Sequence, residues 1–243
     1  MFLIQNLLEY YDELCPVTAS QKAYFANLAK HFAMPVKFLR VKCGTGQFES
    51  MLARQGHDVT GIESIKELLH SANLRKRNQL MSIRFFQMNF REMTKFLGKG
   101  FYNIISCLDS RIIFLGGKED IRGFFRDCHE LLAPEGYFIL ELLNFDKFTL
   151  TPLCKLPTRE SVRMRFFSEL WTDSKGRHSM TQHVETGNGK LLPVVKDEPA
   201  YALRIEEIRE FAQAAGFSSV TCYATFAGEP FTGEEDRVVV EMR

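Results

Sequence analysis

The sequence predicts an α/β protein with a doubly wound, mainly parallel sheet of seven strands and an antiparallel β insertion after the fifth strand. Short apolar segments alternate with amphipathic segments from Val36 onward, which is the pattern of βαβ units. This alternation stops between about Asn144 and Ala202, where strand-like segments are separated by Gly-containing turns. The last two apolar segments follow the final helix directly, so we expect them to form a closing antiparallel hairpin.

The first five strands are expected at residues 36–41, 58–62, 83–88, 102–108 and 137–143. Apolar residues recur with helical spacing between them, and the nearly continuous apolarity of the fourth strand is typical of a central parallel strand. A last helix over 203–215 ends at Gly216 and precedes strands within 217–226 and 237–242. We therefore predict a single domain over residues 1–243, with a core of 20–148 and 203–243 and the β insertion at 149–202. An N-terminal helical region around Tyr10 is expected to cover the sheet's C-terminal edge.

The composition limits the classes of function. The 243 residues carry 31 Lys and Arg against 30 Asp and Glu, a net charge of +1, which gives no global electrostatic support for binding nucleic acid or an anionic membrane. There is no signal-peptide pattern and no apolar run of about 18 residues, so a cytoplasmic protein is expected. The six Cys are scattered without a CxxC pair and are expected to be reduced; the six His lack metal-ligand spacing, and no metal is expected.

The loop after the first strand contains Gly44-Thr45-Gly46. Parallel sheets bind ligands beyond the C-terminal ends of such strands. Glu49 stands where a dinucleotide fingerprint has its third glycine, and a Walker A loop is absent, so phosphate binding is disfavoured. Glu63 ends the second strand, where an acid can accept both hydroxyls of a ribose; a carboxylate favoured by the following helix dipole is the alternative, and both can hold.

The chain resembles the class I S-adenosylmethionine-dependent methyltransferases, especially small bacterial glycine/sarcosine-type N-methyltransferases. The resemblance is carried in order by segments 10–14, 43–46, 61–63, 87–91, 132–137 and 215–217. It implies a Rossmann-like methyltransferase sheet and S-adenosylmethionine as cofactor. The cofactor-binding residues it implies are Cys43, Gly44, Thr45 and Gly46 for the methionyl part, Glu63 with Ser64 for the ribose, Asn89 and Phe90 for the adenine, and Leu108 at the transfer site.

Two residues depart from the family's first motif. Arg40 stands where the family has an acid that helps to bind the cofactor's ammonium, and Lys42 stands where it has a glycine. A cation 4 Å from that ammonium would cost about 4 kcal/mol at an effective dielectric of 20, and a positive φ at Lys42 would add about 1–2 kcal/mol. Three interpretations stay open: Arg40 turns outward and binding persists, the cofactor is no longer used, or an analogue with extra negative charge is bound. Asn89 replaces an acid too, but its side-chain oxygen can still accept a hydrogen bond.

We predict an S-adenosylmethionine-dependent methyltransferase that acts on a small-molecule nucleophile, an amine. The alternative is a non-catalytic methyltransferase-like protein that binds a ligand or partner and has lost normal cofactor binding. No catalytic residue is identified, since attack by a neutral amine needs no base and Cys43 is expected to pack the loop. The motif of amino-methylating DNA enzymes is absent, so no nucleic-acid partner is expected. The candidate substrate-binding residues are Tyr11, Asp109, Arg111 and Trp171.

Overall fold

The computed structural model describes residues 3–76, 82–148 and 152–243. Its larger sheet has seven strands in the order β11-β12-β5-β4-β1-β2-β3. Strands β1 to β5 are parallel, whereas β12 runs antiparallel to both β5 and β11. The strands are β1 (Lys37–Val41), β2 (Asp58–Glu63), β3 (Ile83–Gln87), β4 (Tyr102–Cys107), β5 (Leu132–Leu143), β11 (Val220–Tyr223) and β12 (Arg237–Met242). The predicted fold class, including the antiparallel last hairpin, is confirmed.

Helices pack on both faces of this sheet because alternate strand residues are apolar on each side. On β1, Phe38 belongs to one buried cluster and Leu39 to the other; Ile104 and Ile105 divide in the same way on β4. The helices are α3 (Ala19–Ala29), α4 (Gln47–Arg54), α5 (Lys66–Lys76), α6 (Met93–Phe96), α7 (Lys118–Leu131) and α8 (Ile205–Ala215), with 3-10 turns at Phe90–Glu92 and Arg111–Phe114.

The strand that follows α7 differs from the prediction. The fifth strand was expected to begin at residue 137, but β5 begins at Leu132, directly after the helix. The register between β4 and β5 shifts between the Tyr102–Leu132 and Ile104–Tyr137 pairs, and Glu135 has a φ of 63°. The turn chemistry of Pro134-Glu135-Gly136 is therefore accommodated as an irregularity at the start of the strand.

A second, antiparallel sheet interrupts the chain between β5 and α8. Its strands run in the order β10-β9-β8-β6, and the short β7 also pairs with β8. The three long strands confirm that the insertion is built of antiparallel strands, whereas the short β6 and β7 were not predicted. The first residues of the predicted insertion, 149–151, lie outside the described residues. The strands are β6 (Leu153–Lys155), β7 (Arg159–Glu160), β8 (Met164–Thr172), β9 (His178–Thr186) and β10 (Leu191–Ala200).

The N-terminal segment connects the two sheets. Its short helices α1 (Gln5–Leu8) and α2 (Tyr11–Leu14) pack against β8, β9, β10 and α5 in a third apolar cluster. This segment covers the C-terminal edge of the parallel sheet, as the sequence indicated. Within the three described ranges, no helix is long and apolar enough to cross a membrane.

Candidate functional site

The loop after β1 contains three left-handed residues in five positions. Lys42, Gly44 and Gly46 have φ values of 61°, 62° and 72°. Glycine adopts this conformation freely, but a lysine pays about 1–2 kcal/mol. The strain expected at Lys42 is therefore present. The Lys42 ammonium donates a hydrogen bond to Ser64 Oγ at 2.9 Å, which holds the side chain over the end of β2.

Arg40 does not turn outward, and that expectation is wrong. Its side chain points into the protein from β1 and the residue is 7% exposed. Its Nη2 donates to Asp109 Oδ2 at 3.0 Å, and its Nε lies 3.5 Å from Glu49 Oε1. Burial opposes its charge, but Glu49 and Asp109 raise the pKa of Arg40 above its ordinary value. The cation at the first motif thus lies between two acidic side chains within the protein.

Glu49 is the least solvated of these carboxylates. It lies in the first turn of α4, fully buried, and among the described residues neither of its oxygens has a hydrogen-bond partner. Burial raises the pKa of Glu49 to about 7, although Arg40 lowers it. In the sequence, the position of Glu49 after the glycine loop indicated only that phosphate binding is disfavoured. The pairing of Glu49 with Arg40 was not predicted.

Glu63 ends β2 with its carboxylate completely buried. Its Oε1 accepts hydrogen bonds from the backbone N–H groups of Ser64 and Ile65, at 2.9 and 3.0 Å. Its Oε2 accepts from Gly44 N–H at 3.1 Å and from Arg111 Nη2 at 3.3 Å. A carboxylate has about four lone-pair positions, so these four donors satisfy it. Glu63 therefore links the glycine loop, the start of α5 and the 3-10 turn after β4.

Tyr11 and Arg111 close the space above the loop. A Cβ added to Gly44 would lie 2.5 Å from Tyr11 Oη, so the ring rests on the loop's backbone. Arg111 Nη1 donates to the same hydroxyl at 3.0 Å. On the neighbouring residue, Asp12 accepts from Thr45 Oγ1 and forms an ion pair with Arg75. The N-terminal segment is thus fastened over the predicted cofactor loop.

The loop after β4 is strained. Asp109 and Ser110 have φ values of 59° and 57°, and each such residue costs about 1–3 kcal/mol. Glu141 holds both: its Oε2 accepts from Asp109 N–H at 2.7 Å, and its backbone oxygen accepts from Ser110 N–H. Asp109 Oδ1 also lies 3.6 Å from Arg159 Nη1. Burial opposes ionisation of Asp109, but Arg159 and Arg40 hold its pKa below the usual value.

The residues predicted to contact the adenine have structural partners. Asn89 is exposed, and its Oδ1 accepts a hydrogen bond from Arg91 N–H that caps the 3-10 turn. The Phe90 ring packs edge-on against Phe124, and Leu108 is completely buried. Their predicted cofactor roles stay predictions.

Cys43 is not an activated nucleophile. The residue is buried in the loop, and burial together with Glu49 and Glu63 raises the pKa of its thiol well above the ordinary value. All six cysteines are free thiols. Among the residues that the structure describes, no group of His, Cys, Asp and Glu could hold a metal ion.

A mainly apolar cavity of about 80 Å³ lies between the parallel sheet, the N-terminal segment and the β insertion. Tyr11, Asp109 and Arg111 line it, but Trp171 does not. Trp171 is 43% exposed and lies on the outer face of β8, because side chains alternate along a strand and Phe166, Ser168 and Leu170 face inward. Placing Trp171 in the pocket was therefore wrong. The sequence also missed two arginines of the cavity wall, Arg159 and Arg237.

A model described as "Methyltransferase domain" matches residues 38–136, the segment from β1 to the start of β5. Residues 38–136 therefore resemble a methyltransferase domain. It is 34% identical over 143 residues to the putative methyltransferase YqeM of Bacillus subtilis (strain 168), covering 58% of this chain and 55% of that protein. It is 30% identical over 149 residues to the glycine/sarcosine N-methyltransferase of Halorhodospira halochloris, covering 59% and 54%. The chain thus spans about half the length of these curated relatives.

Solved structures also resemble the chain over nearly its whole length. The CcbJ methyltransferase from Streptomyces caelestis aligns with a TM-score of 0.78 at 20% identity, over 99% of this chain and 95% of that one. At that identity the likeness concerns the fold, and it includes the region of the β insertion. The predicted resemblance to methyltransferases is confirmed.

Proposed function

We propose that this chain transfers a methyl group from S-adenosylmethionine to a small-molecule nucleophile, an amine, bound between the parallel sheet and the β insertion. The observation that carries the proposal is the meeting of two spaces at one sheet edge. A space of about 20 Å³ lies beside the glycine loop and is lined by Arg40, Cys43 and Thr45. It shares Tyr11 and Asp109 with the larger apolar cavity. A donor at the loop and an acceptor in the cavity would therefore be neighbours.

The glycine loop and the end of β2, next to the first space, supply groups that a nucleoside cofactor needs. Gly44 and Gly46 bring bare backbone to the loop, and Glu63 would hold the ribose. Arg40 is paired with Asp109 and lies beside Glu49, so it does not face the cofactor's ammonium as an isolated cation would. Tyr11 and Arg111 must turn away from Gly44 and Glu63 to admit the ligand.

When bound, S-adenosylmethionine supplies an electrophilic methyl group on a sulfonium. The chain's contribution is to align the acceptor and to exclude water. The apolar cavity wall and the N-terminal segment that closes it suit this role. Asp109 is held between Arg40 and Arg159 and is not free to act as a base; an acceptor amine would therefore react as the neutral species.

The non-catalytic alternative depends on uncompensated cations in the first motif. The stronger argument for this alternative was Arg40, and it fails because Arg40 forms ion pairs within the protein. The weaker argument is Lys42, which adds local strain and a nearby positive charge. We therefore favour the enzyme. A small-molecule partner and a cytoplasmic location remain part of this proposal.

Formation of S-adenosylhomocysteine from S-adenosylmethionine tests the proposal, with panels of small amines and of matched alcohols as acceptors. We expect acceptor-dependent product with amines, loss of turnover in Glu63→Gln, and full turnover in Glu67→Gln, a change on the exposed face of α5. Turnover with alcohols alone would show that the methyl group is transferred to oxygen and not to nitrogen. Tight cofactor binding without turnover on any acceptor would favour the non-catalytic alternative.

A further inference from the structure

The wall of the apolar cavity carries an excess of positive charge. Three arginines line it, Arg111, Arg159 and Arg237, against one acidic residue, Asp109. Arg237 is committed to Glu141. Arg159 has weaker partners: Asp109 at 3.6 Å, and the carbonyl oxygen of Leu14 at 3.3 Å.

Asp109 cannot neutralise both remaining arginines. Its Oδ2 is held by the buried Arg40 at 3.0 Å, which leaves Oδ1 for Arg159. Within the described part of the chain, Arg111 forms its ion pair with Glu63, outside the cavity. The charge balance of the cavity therefore depends on whether Arg111 stays with Glu63.

Binding of a ribose at Glu63 would remove Arg111 from it. Each oxygen of Glu63 already accepts two hydrogen bonds. Three of the four donors are backbone N–H groups fixed by the glycine loop and the start of α5, whereas Arg111 is a side chain on a 3-10 turn. Ribose hydroxyls can gain an acceptor position most readily by displacing Arg111. A displaced guanidinium in a largely apolar space requires another anion.

We propose that cofactor binding turns Arg111 from Glu63 into the cavity, where Arg111 and Arg159 together bind an acidic group of the methyl acceptor. The acceptor is then an amine that also carries an acidic group on an apolar body, because the rest of the wall is built from side chains such as Ile113, Phe166 and Met180. The inference rests on the proposed function. It adds to it the charge of the acceptor and an order of binding, cofactor first.

The probes are benzoate, benzyl alcohol and benzylamine, which share a ring and differ in charge, titrated by calorimetry with and without saturating S-adenosylhomocysteine. We expect benzoate to bind the protein loaded with S-adenosylhomocysteine at least about tenfold more tightly than it binds the unloaded protein. The loaded protein should also bind benzoate at least about tenfold more tightly than it binds benzyl alcohol or benzylamine. Arg111→Gln and Arg159→Gln should each weaken benzoate binding by about tenfold to a hundredfold. Arg165→Gln is the matched control, since Arg165 lies on the outer face of β8.

Arg111→Gln should bind S-adenosylhomocysteine at least as tightly as the unchanged protein, because the competing donor is gone, while losing benzoate. A variant damaged in its fold would lose both ligands, and Arg159→Gln then supplies the decisive measurement.

Equal binding of benzoate and benzyl alcohol by the loaded protein would overturn the anion site and leave the proposed function standing. If benzoate binds with 5′-methylthioadenosine, which lacks the amino-acid part, and not with S-adenosylhomocysteine, the cofactor's own carboxylate captures Arg111 and the inference is wrong. Failure of S-adenosylhomocysteine to bind at all would overturn the proposed function and this inference together.

Discussion

Protonation of Glu49 should make this protein more stable in mild acid than in mild base. Burial raises the pKa of Glu49 from its ordinary 4.5 to about 7. Between these values the folded chain binds a proton that the unfolded chain has lost, so the contribution is present at low pH and disappears as the pH rises through 7. With a pKa of 4.5 in the unfolded chain and about 7 in the folded chain, the free energy of unfolding should fall by about 2.5 kcal/mol between pH 5 and pH 8.

The perturbation is Glu49→Gln, which keeps the shape of the side chain and removes its titration. Urea unfolding at pH 5, 6, 7 and 8 gives the free energy of unfolding for both proteins. The unchanged protein should lose about 2.5 kcal/mol more than the variant over this range, with most of the change below pH 7. Glu67→Gln, on the exposed face of α5, should follow the unchanged protein. Parallel profiles for Glu49→Gln and the unchanged protein would refute the buried, proton-binding Glu49.

Substitutions at three positions, Arg40 on β1 and Lys42 and Gly44 in the loop after it, are tested by the same unfolding measurement. Arg40→Asp adds a third carboxyl group beside the buried Glu49 and the half-buried Asp109 and should lose about 3–5 kcal/mol of stability; a stabilised variant would show that Arg40 is not the shared partner. Lys42→Gly should stay within about 1 kcal/mol of the unchanged protein, since relief of strain offsets the entropy of glycine, whereas Lys42→Val should lose about 1–2 kcal/mol. Gly44→Ala should be destabilised by the clash with Tyr11 and partly rescued by Tyr11→Ala; no rescue would place the strain elsewhere.

The apolar pattern predicted the parallel sheet because each buried strand and each amphipathic helix leaves a local signal. The glycine loop and Glu63 were found for the same reason, since the turn and the strand end are continuous in sequence. The short strands β6 and β7, of three and two residues, carry no such signal. They exist because they pair with β8.

The partners of Arg40 could not be predicted, because Asp109 is 69 residues away and meets it only where β1 and β4 pair. Read alone, Arg40 looked like a cation that either turns to solvent or repels the cofactor. Trp171 was misplaced for a different reason: a strand prediction gives the alternation of faces but not which face looks inward. Arg159 went unnoticed because its two-residue strand has no pattern of its own.

We propose that Glu63 and the glycine loop bind S-adenosylmethionine and that the ribose displaces Arg111 from Glu63. Calorimetric titration of S-adenosylmethionine into the unchanged protein, Glu63→Gln and Arg111→Gln tests it most directly. We predict one site per chain, binding weakened by about tenfold or more in Glu63→Gln, and binding kept or tightened in Arg111→Gln. No saturable binding at millimolar ligand, or equal affinity in Glu63→Gln and the unchanged protein, would contradict the account.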